Sequence, residues 1–78
     1  MSLPLQHTPL SPETCLLDMF SSRAARSGGV VRRKARDVDR YVGRETFLRE
    51  LDRRGFRALE NAGQIIIFCN TEPVRVLT

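Results

Sequence analysis

The sequence predicts a single α+β domain in which three helices and a short strand precede a β-hairpin. Apolar residues recur at helical spacing in the first part of the chain, whereas the last part has short β-branched runs between turn residues. Seventy-eight residues, 41% of them apolar and 28% charged, suffice for one thin core. We expect residues 1–10 to form an extended arm and residues 11–78 to form the domain.

The first helix is expected between Ser11 and the glycine pair at 28–29. Ser11 suits the N-cap position and Pro12 the first helical position. Apolar residues then recur every three to four positions until the two glycines end the helix. The expected buried face comprises Leu16, Leu17, Phe20 and Ala24, with Met19 at its edge.

A short strand and a short helix are expected next. The segment VVRRK, residues 30–34, begins with two valines, which favour an edge strand. The segment ARDVDRYVG then predicts a two-turn helix, which the glycine ends. Its inward face is expected to comprise Val38, Tyr41 and Val42.

The segment RETFLRELDRRGF predicts the strongest remaining helix, over residues 44–54. Oppositely charged residues four positions apart support it, and Gly55 fits the position after its last turn. The expected inward face comprises Phe47, Leu48 and Leu51.

From Phe56 onward the pattern predicts strand, turn and strand. The turn lies around Asn61-Ala62-Gly63, where glycine permits a positive φ. The segment QIIIFC is too short and too β-branched for a helix, and we expect it to be the most buried strand. After a second turn at NTEP, residues 74–78 are expected to form a last short strand.

This order of elements resembles the winged helix-turn-helix family over residues 12–78. In that family a strand follows the first helix, two helices form the helix-turn-helix, and a β-hairpin forms the wing. Here DVDRYVG corresponds to the first helix of the motif, RETFLRELDRRGF to the recognition helix and RALENAGQIIIFC to the start of the wing. The ending ELDRRGF is similar to the family in closing on a glycine before a strand. Gly43 is followed at once by Arg44, whereas the family usually has two or three residues there.

The stretch GGVVRR…VGR…F also resembles short bacterial proteins that are labelled phosphoribosylanthranilate isomerase. That enzyme is a TIM barrel, which needs at least about 200 residues. A chain of 78 residues is too short for that fold, so we do not expect the isomerase activity.

Charge is unevenly distributed along the chain. The net charge is +4, and 12 of the 13 basic residues are arginines. Residues 23–54 carry +6 and the remainder −2, a segregation that favours phosphate contacts. The sequence therefore predicts a nucleic-acid-binding domain, with DNA preferred over RNA. The candidate contact residues are Arg32, Arg33, Lys34, Arg36, Arg40, Arg44, Arg49 and Arg53.

Two alternatives account for the same residues. A solvated basic face would keep a small domain soluble, and the mixed charges of helix 44–54 are equally typical of an ordinary salt-bridged surface. An accessory or regulatory module that acts through protein contacts is the other alternative. If the strand QIIIFC had an open edge, a second copy of the chain would pair with it to form a homodimer.

An enzyme is not expected, nor is a cofactor or a metal. His7 is the only histidine and lies in the arm, and no nucleophile–base pair or phosphate loop is visible. Cys15 and Cys69 are expected to be reduced thiols, with Cys69 buried. No apolar run reaches the length of a membrane span and the first residues lack a signal-peptide pattern, so we expect a cytoplasmic protein without a membrane partner.

Overall fold

The structure is a computed structural model that describes residues 11–78, so the expected arm and His7 lie outside the described residues. Four helices and one three-stranded antiparallel sheet confirm the α+β class, and the layout is compatible with a small winged-helix-like domain. The elements are α1 (Pro12–Phe20), α2 (Arg23–Arg26), β1 (Val30–Lys34), α3 (Ala35–Tyr41), α4 (Arg44–Arg54), β2 (Arg57–Asn61) and β3 (Gln64–Phe68).

The expected first helix is two helices, because a serine pair interrupts it. Ser21 ends α1, and the Ser22 hydroxyl accepts a hydrogen bond from the Ala25 amide (3.3 Å) as the N-cap of α2. Ser22 also donates to the Met19 carbonyl (3.0 Å), so its side chain competes with the helical hydrogen bonds. The prediction at the other end is confirmed, since the chain leaves α2 through Gly28 at φ 80°.

Two residues of the expected buried face are exposed. Leu17 is 64% exposed and Ala24 is exposed, so the prediction that both are buried was wrong. Met19 and Ala25 are buried instead, alongside Leu16. In a continuous helix through residue 27, the residues after Phe20 would have continued the buried face of α1. The N-cap at Ser22 starts a new helix instead, so the buried face of α2 is set separately.

Helices α3 and α4 are joined by the short connection that the sequence predicts. Gly43, at φ 95°, donates to the Val38 carbonyl (2.9 Å) and accepts from the Phe47 amide (2.9 Å), so it both closes α3 and caps α4. Gly55, at φ 76°, ends α4 as expected. Two predicted core positions were wrong, because Tyr41 is 45% exposed and Leu48 is 51% exposed at the borders of their helices' apolar faces.

The sheet has the order β1–β3–β2, with both pairs antiparallel. A two-residue turn at Ala62-Gly63, with φ 52° and 77°, joins β2 to β3 and confirms the predicted hairpin. The isoleucine-rich strand β3 is central, as its apolar character predicts. Helices pack on the sheet face that carries Val31, Ile65 and Ile67. We call the opposite side the outer sheet face; it carries Val30, Arg32, Lys34, Arg57, Leu59, Asn61, Gln64, Ile66 and Phe68.

The predicted last strand is wrong, because residues 74–78 have no strand structure. Strand β3 is already paired on both sides, and the third strand of the sheet is β1. The chain leaves β3 through a turn in which Asn70 accepts from the Glu72 amide (2.9 Å) and donates to the Gly28 carbonyl (3.0 Å). Val76 and Leu77 beyond it are exposed.

One apolar core lies between the helices and the sheet. Phe47 from α4 and Ile67 from β3 are its most buried large side chains, at 1% and 0% exposure. The Phe20 and Phe56 rings meet edge to face with centroids 5.6 Å apart, which ties α1 to the chain entering β2. The buried side chains are Leu16, Met19, Phe20, Ala25, Val31, Ala35, Val38, Val42, Phe47, Leu51, Ile65, Ile67 and Cys69.

Candidate nucleic-acid interface

The eight predicted contact residues divide among three elements with different surroundings. Strand β1 carries three of them, helix α3 two and helix α4 three. Since β1 runs directly into α3, the first five lie within one stretch of the chain, residues 32–40. We call these the β1–α3 basic group; its members are Arg32, Arg33, Lys34, Arg36 and Arg40.

Strand alternation separates the three basic residues of β1. Arg32 and Lys34 are exposed on the outer sheet face, about 7 Å apart along the strand. Arg33 is half-buried on the opposite side, where Val31 also points, and its guanidinium donates to the Arg32 carbonyl at 2.7 Å. Of the three, only Arg32 and Lys34 are therefore exposed to solvent.

Helix α3 adds two exposed arginines at a spacing of four residues. Arg36 and Arg40 therefore lie on one side of the helix, while Val38 and Val42 face the core. The Arg40 guanidinium lies over the Tyr41 ring, 5.5 Å from its centroid. Within residues 11–78, no member of the β1–α3 basic group forms an ion pair with a carboxylate.

Arg44, by contrast, is engaged by two carboxylates. Its guanidinium donates to both oxygens of Asp39 (2.8 and 3.2 Å) and to Glu60 (2.8 Å), which links α3, α4 and β2. The hydrogen bond from Arg44 lowers the pKa of Asp39, and the bonds from both acids raise the pKa of Arg44. Two carboxylates thus balance the charge of Arg44 and hold its side chain between α3 and β2.

A second ion-pair cluster lies at the end of α4. Glu50 accepts from Arg53 (2.6 Å) and from Arg54 (2.6 Å). The guanidinium of Arg54 also lies over the Phe20 ring, 4.4 Å from its centroid, so the cluster fixes α4 against α1. Arg53 therefore also has a local acidic partner.

The ion pairs of Glu50 make the free energy of unfolding depend on pH in the acid range. The Arg53 hydrogen bond, reinforced by that from Arg54, lowers the pKa of Glu50 from 4.5 to about 2, against the opposing effect of burial. Because the folded-state pKa is lowered, this contribution is complete above the unfolded pKa and is lost as the pH falls from about 4.5 towards 2. Urea midpoints measured across this range should fall more steeply for the wild type than for Glu50→Gln. Equal slopes would contradict the assignment.

The outward side of α4 carries charges of both signs. Residues at helical spacing there are Glu45, Leu48, Arg49 and Asp52, with a net charge of −1. Arg49 is exposed without an ion-pair partner in the described part of the chain, but it lies between the two acids in this row. The structure thus separates an unpaired β1–α3 basic group from a paired and mixed-charge α4.

One basic residue of the outer sheet face was missed by the sequence analysis. Arg57 is exposed in β2, and in the sheet register it lies in one row with Phe68 and Val30. The period-two alternation of β2 carried this signal, because Arg57 and Leu59 alternate with Ala58. Because Arg57 is far along the chain from the β1–α3 basic group, the sequence did not show that it shares a sheet face with Arg32 and Lys34.

The cysteines are free, and Cys69 is buried as predicted. Burial raises the pKa of the Cys69 thiol, and burial together with the nearby Asp18 raises that of Cys15. Neither environment favours a thiolate at neutral pH. Within residues 11–78, no group of three histidine, cysteine or acidic side chains lies close enough to hold a metal ion.

Comparison with known proteins leaves the chain without a match: no family model, no curated protein and no solved structure is significantly similar to it. Among the described helices, none has the length and apolar character needed to cross a membrane.

Proposed function

We propose that the protein is a non-enzymatic, cytoplasmic domain that binds nucleic acid through the β1–α3 basic group. The observation that carries this proposal is the contrast in pairing. The members of the group make no ion pair within the described residues, whereas Arg44 and Arg53 of α4 are bound to acids. Arginine suits phosphate because its planar guanidinium donates in a fork.

The proposed contacts are to the phosphate backbone, not to base edges. Arg32, Lys34, Arg36 and Arg40 are exposed and free to bind phosphate oxygens, while the outward side of α4 carries a net negative charge. A helix with that charge is disfavoured in a groove lined by phosphates. Binding should therefore depend weakly on sequence. Duplex DNA is the preferred ligand, because the order of elements resembles the winged helix-turn-helix.

A titration of labelled duplex DNA and of a duplex RNA of equal length tests the proposal. If the four exposed cations each displace a counterion, the binding constant should fall about a hundredfold between about 50 and 200 mM salt. Fluorescence anisotropy at several salt concentrations gives this slope. Absence of binding at low salt, or an affinity that does not change with salt, would contradict the proposal.

A protein-interaction module is the second candidate function. Leu17, Leu48 and Leu59 are each about half exposed or more, and Leu48 lies among charged residues on α4. Exposed leucines bordered by charges are compatible with a protein contact surface. Light scattering and a pull-down test this candidate, and a strict monomer that captures no partner would count against it.

A further inference from the structure

Strand β2 forms an open edge of the sheet. In a hairpin with a two-residue turn, the residues that flank the turn, here Asn61 and Gln64, form a hydrogen-bonded pair. The backbone groups of Asn61, Leu59 and Arg57 therefore bond to β3. The backbone groups of Ala58 and Glu60 therefore point away from the sheet. No backbone hydrogen bond outside the sheet reaches them from the described residues. They form a short row of free donors and acceptors, which favours pairing with another strand.

The sequence of β2 is self-complementary in one antiparallel register. A twofold axis at Leu59 pairs Ala58 with Glu60 of the second copy, and this register uses all the outward backbone groups of both strands. It brings the two Leu59 side chains together and places Arg57 opposite Asn61. No like charges face each other. Moving the axis to Glu60 would place two carboxylates in opposition, which is unfavourable.

The opposite edge of the sheet lacks this property. In β1 the outward backbone groups belong to Val30, Arg32 and Lys34, since Val31 and Arg33 bond to β3. The full-overlap antiparallel register of two β1 strands sets Arg32 against Arg32. Like charges at this position protect the edge from self-pairing. Charge therefore distinguishes the two edges and favours self-pairing at β2 over self-pairing at β1.

Apolar side chains extend the β2 edge on both sides of the sheet. Leu59 is 49% exposed on the outer sheet face, beside Ile66 in the register. Leu48 is 51% exposed on the helix side and lines the same small hollow as Leu59. A second copy at this edge would cover both leucines. The contact remains small, and interfaces below about 1,200 Å² in total are typical of weak, reversible association.

We propose that the chain forms a reversible homodimer by antiparallel pairing of two β2 strands about Leu59. The resulting sheet has six strands in the order β1–β3–β2–β2–β3–β1. One row across its outer face holds Ile66 and Leu59 of each copy between the two Arg32 residues. The β1–α3 basic groups lie at the far ends and stay exposed, so dimer formation does not depend on nucleic-acid binding.

Disulfide trapping tests the register directly. In an antiparallel non-hydrogen-bonded pair the two Cα atoms are about 4.5 Å apart, which lies within the range of a disulfide. Leu59→Cys, made with Cys15→Ser, should form a covalent dimer under mild oxidation. Val30→Cys in the same background is the control, because Val30 is similarly exposed, at 47%, on the protected edge. Non-reducing electrophoresis measures both.

Sedimentation of the reduced protein provides a second measurement. We expect the wild type to dimerise with a dissociation constant between about 10 µM and 1 mM, which corresponds to a weak association. Leu59→Lys should raise the dissociation constant at least about tenfold through like-charge opposition, whereas Val30→Lys should change it less than about twofold. Circular dichroism confirms folding of each variant.

Three results would overturn the proposal. A wild-type chain that stays monomeric throughout this concentration range excludes the homodimer and leaves the β2 edge to a strand of another protein. Cross-linking of Val30→Cys as readily as of Leu59→Cys excludes β2 as the interface. A folded Leu59→Lys variant that dimerises as tightly as the wild type excludes the register. None of these results depends on whether nucleic acid binds.

Discussion

Replacing Phe47 by alanine is expected to lower the free energy of unfolding by about 3–5 kcal/mol. The ring is 1% exposed, and it lies in the single core between α4 and the sheet. Truncation removes its buried contacts and leaves a cavity that the surrounding backbone cannot fill. A domain of 78 residues has about 4–12 kcal/mol of stability in total. The loss is therefore at least about a quarter of the total, and at the lower end of this range it would unfold the variant at room temperature.

Urea denaturation followed by circular dichroism measures this loss. Leu48→Ala is the matched control, since Leu48 is the next residue of the same helix and is 51% exposed. Its cost should stay below about 1 kcal/mol, because about half of its surface is already in contact with water. Similar costs for the two substitutions would show that the core is not organised around Phe47.

Neutralising the β1–α3 basic group is expected to have the largest effect on nucleic-acid binding. Changing Arg32, Lys34 and Arg40 together to glutamine removes three exposed cations without touching an ion pair or a buried side chain. If all three contact phosphate, the slope of log affinity against log salt should decrease by about 2.7, and affinity at low salt should fall more than about tenfold.

A triple variant of α4 provides the control with the same change in charge. Arg44, Arg49 and Arg53 become glutamine, so the net charge falls equally while the β1–α3 basic group is kept. We expect this variant to retain most of the salt slope, because Arg44 and Arg53 are already paired with acids. A larger loss from the α4 variant would instead indicate that α4 contacts the nucleic acid.

Local signals in the sequence predicted most of the fold. The extent of α4, its terminal Gly55 and the two-residue turn at Ala62-Gly63 follow from short-range patterns and lie where they were expected. The break at Ser21-Ser22 was missed, because the apolar period continues through it while the serine hydroxyls form competing hydrogen bonds.

Other features depend on contacts between distant parts of the chain. Residues 74–78 are β-branched enough for a strand, but β1 already occupies the place beside β3. The sequence gave no sign that Arg44 pairs with Glu60, because the two residues lie sixteen positions apart. The structure was therefore needed to show which cations are paired with acids, although the segregation of charge was visible in the sequence.

In the proposed function, nucleic acid contacts the β1–α3 basic group. Its most direct test is a nitrogen-15 NMR titration with short duplex DNA at low salt, in which the side-chain Nε resonances of the arginines are followed. We expect shifts at Arg32, Arg36 and Arg40, with Arg44 and Arg53 nearly unchanged. Shifts confined to the arginines of α4, or no shifts at all, would contradict it.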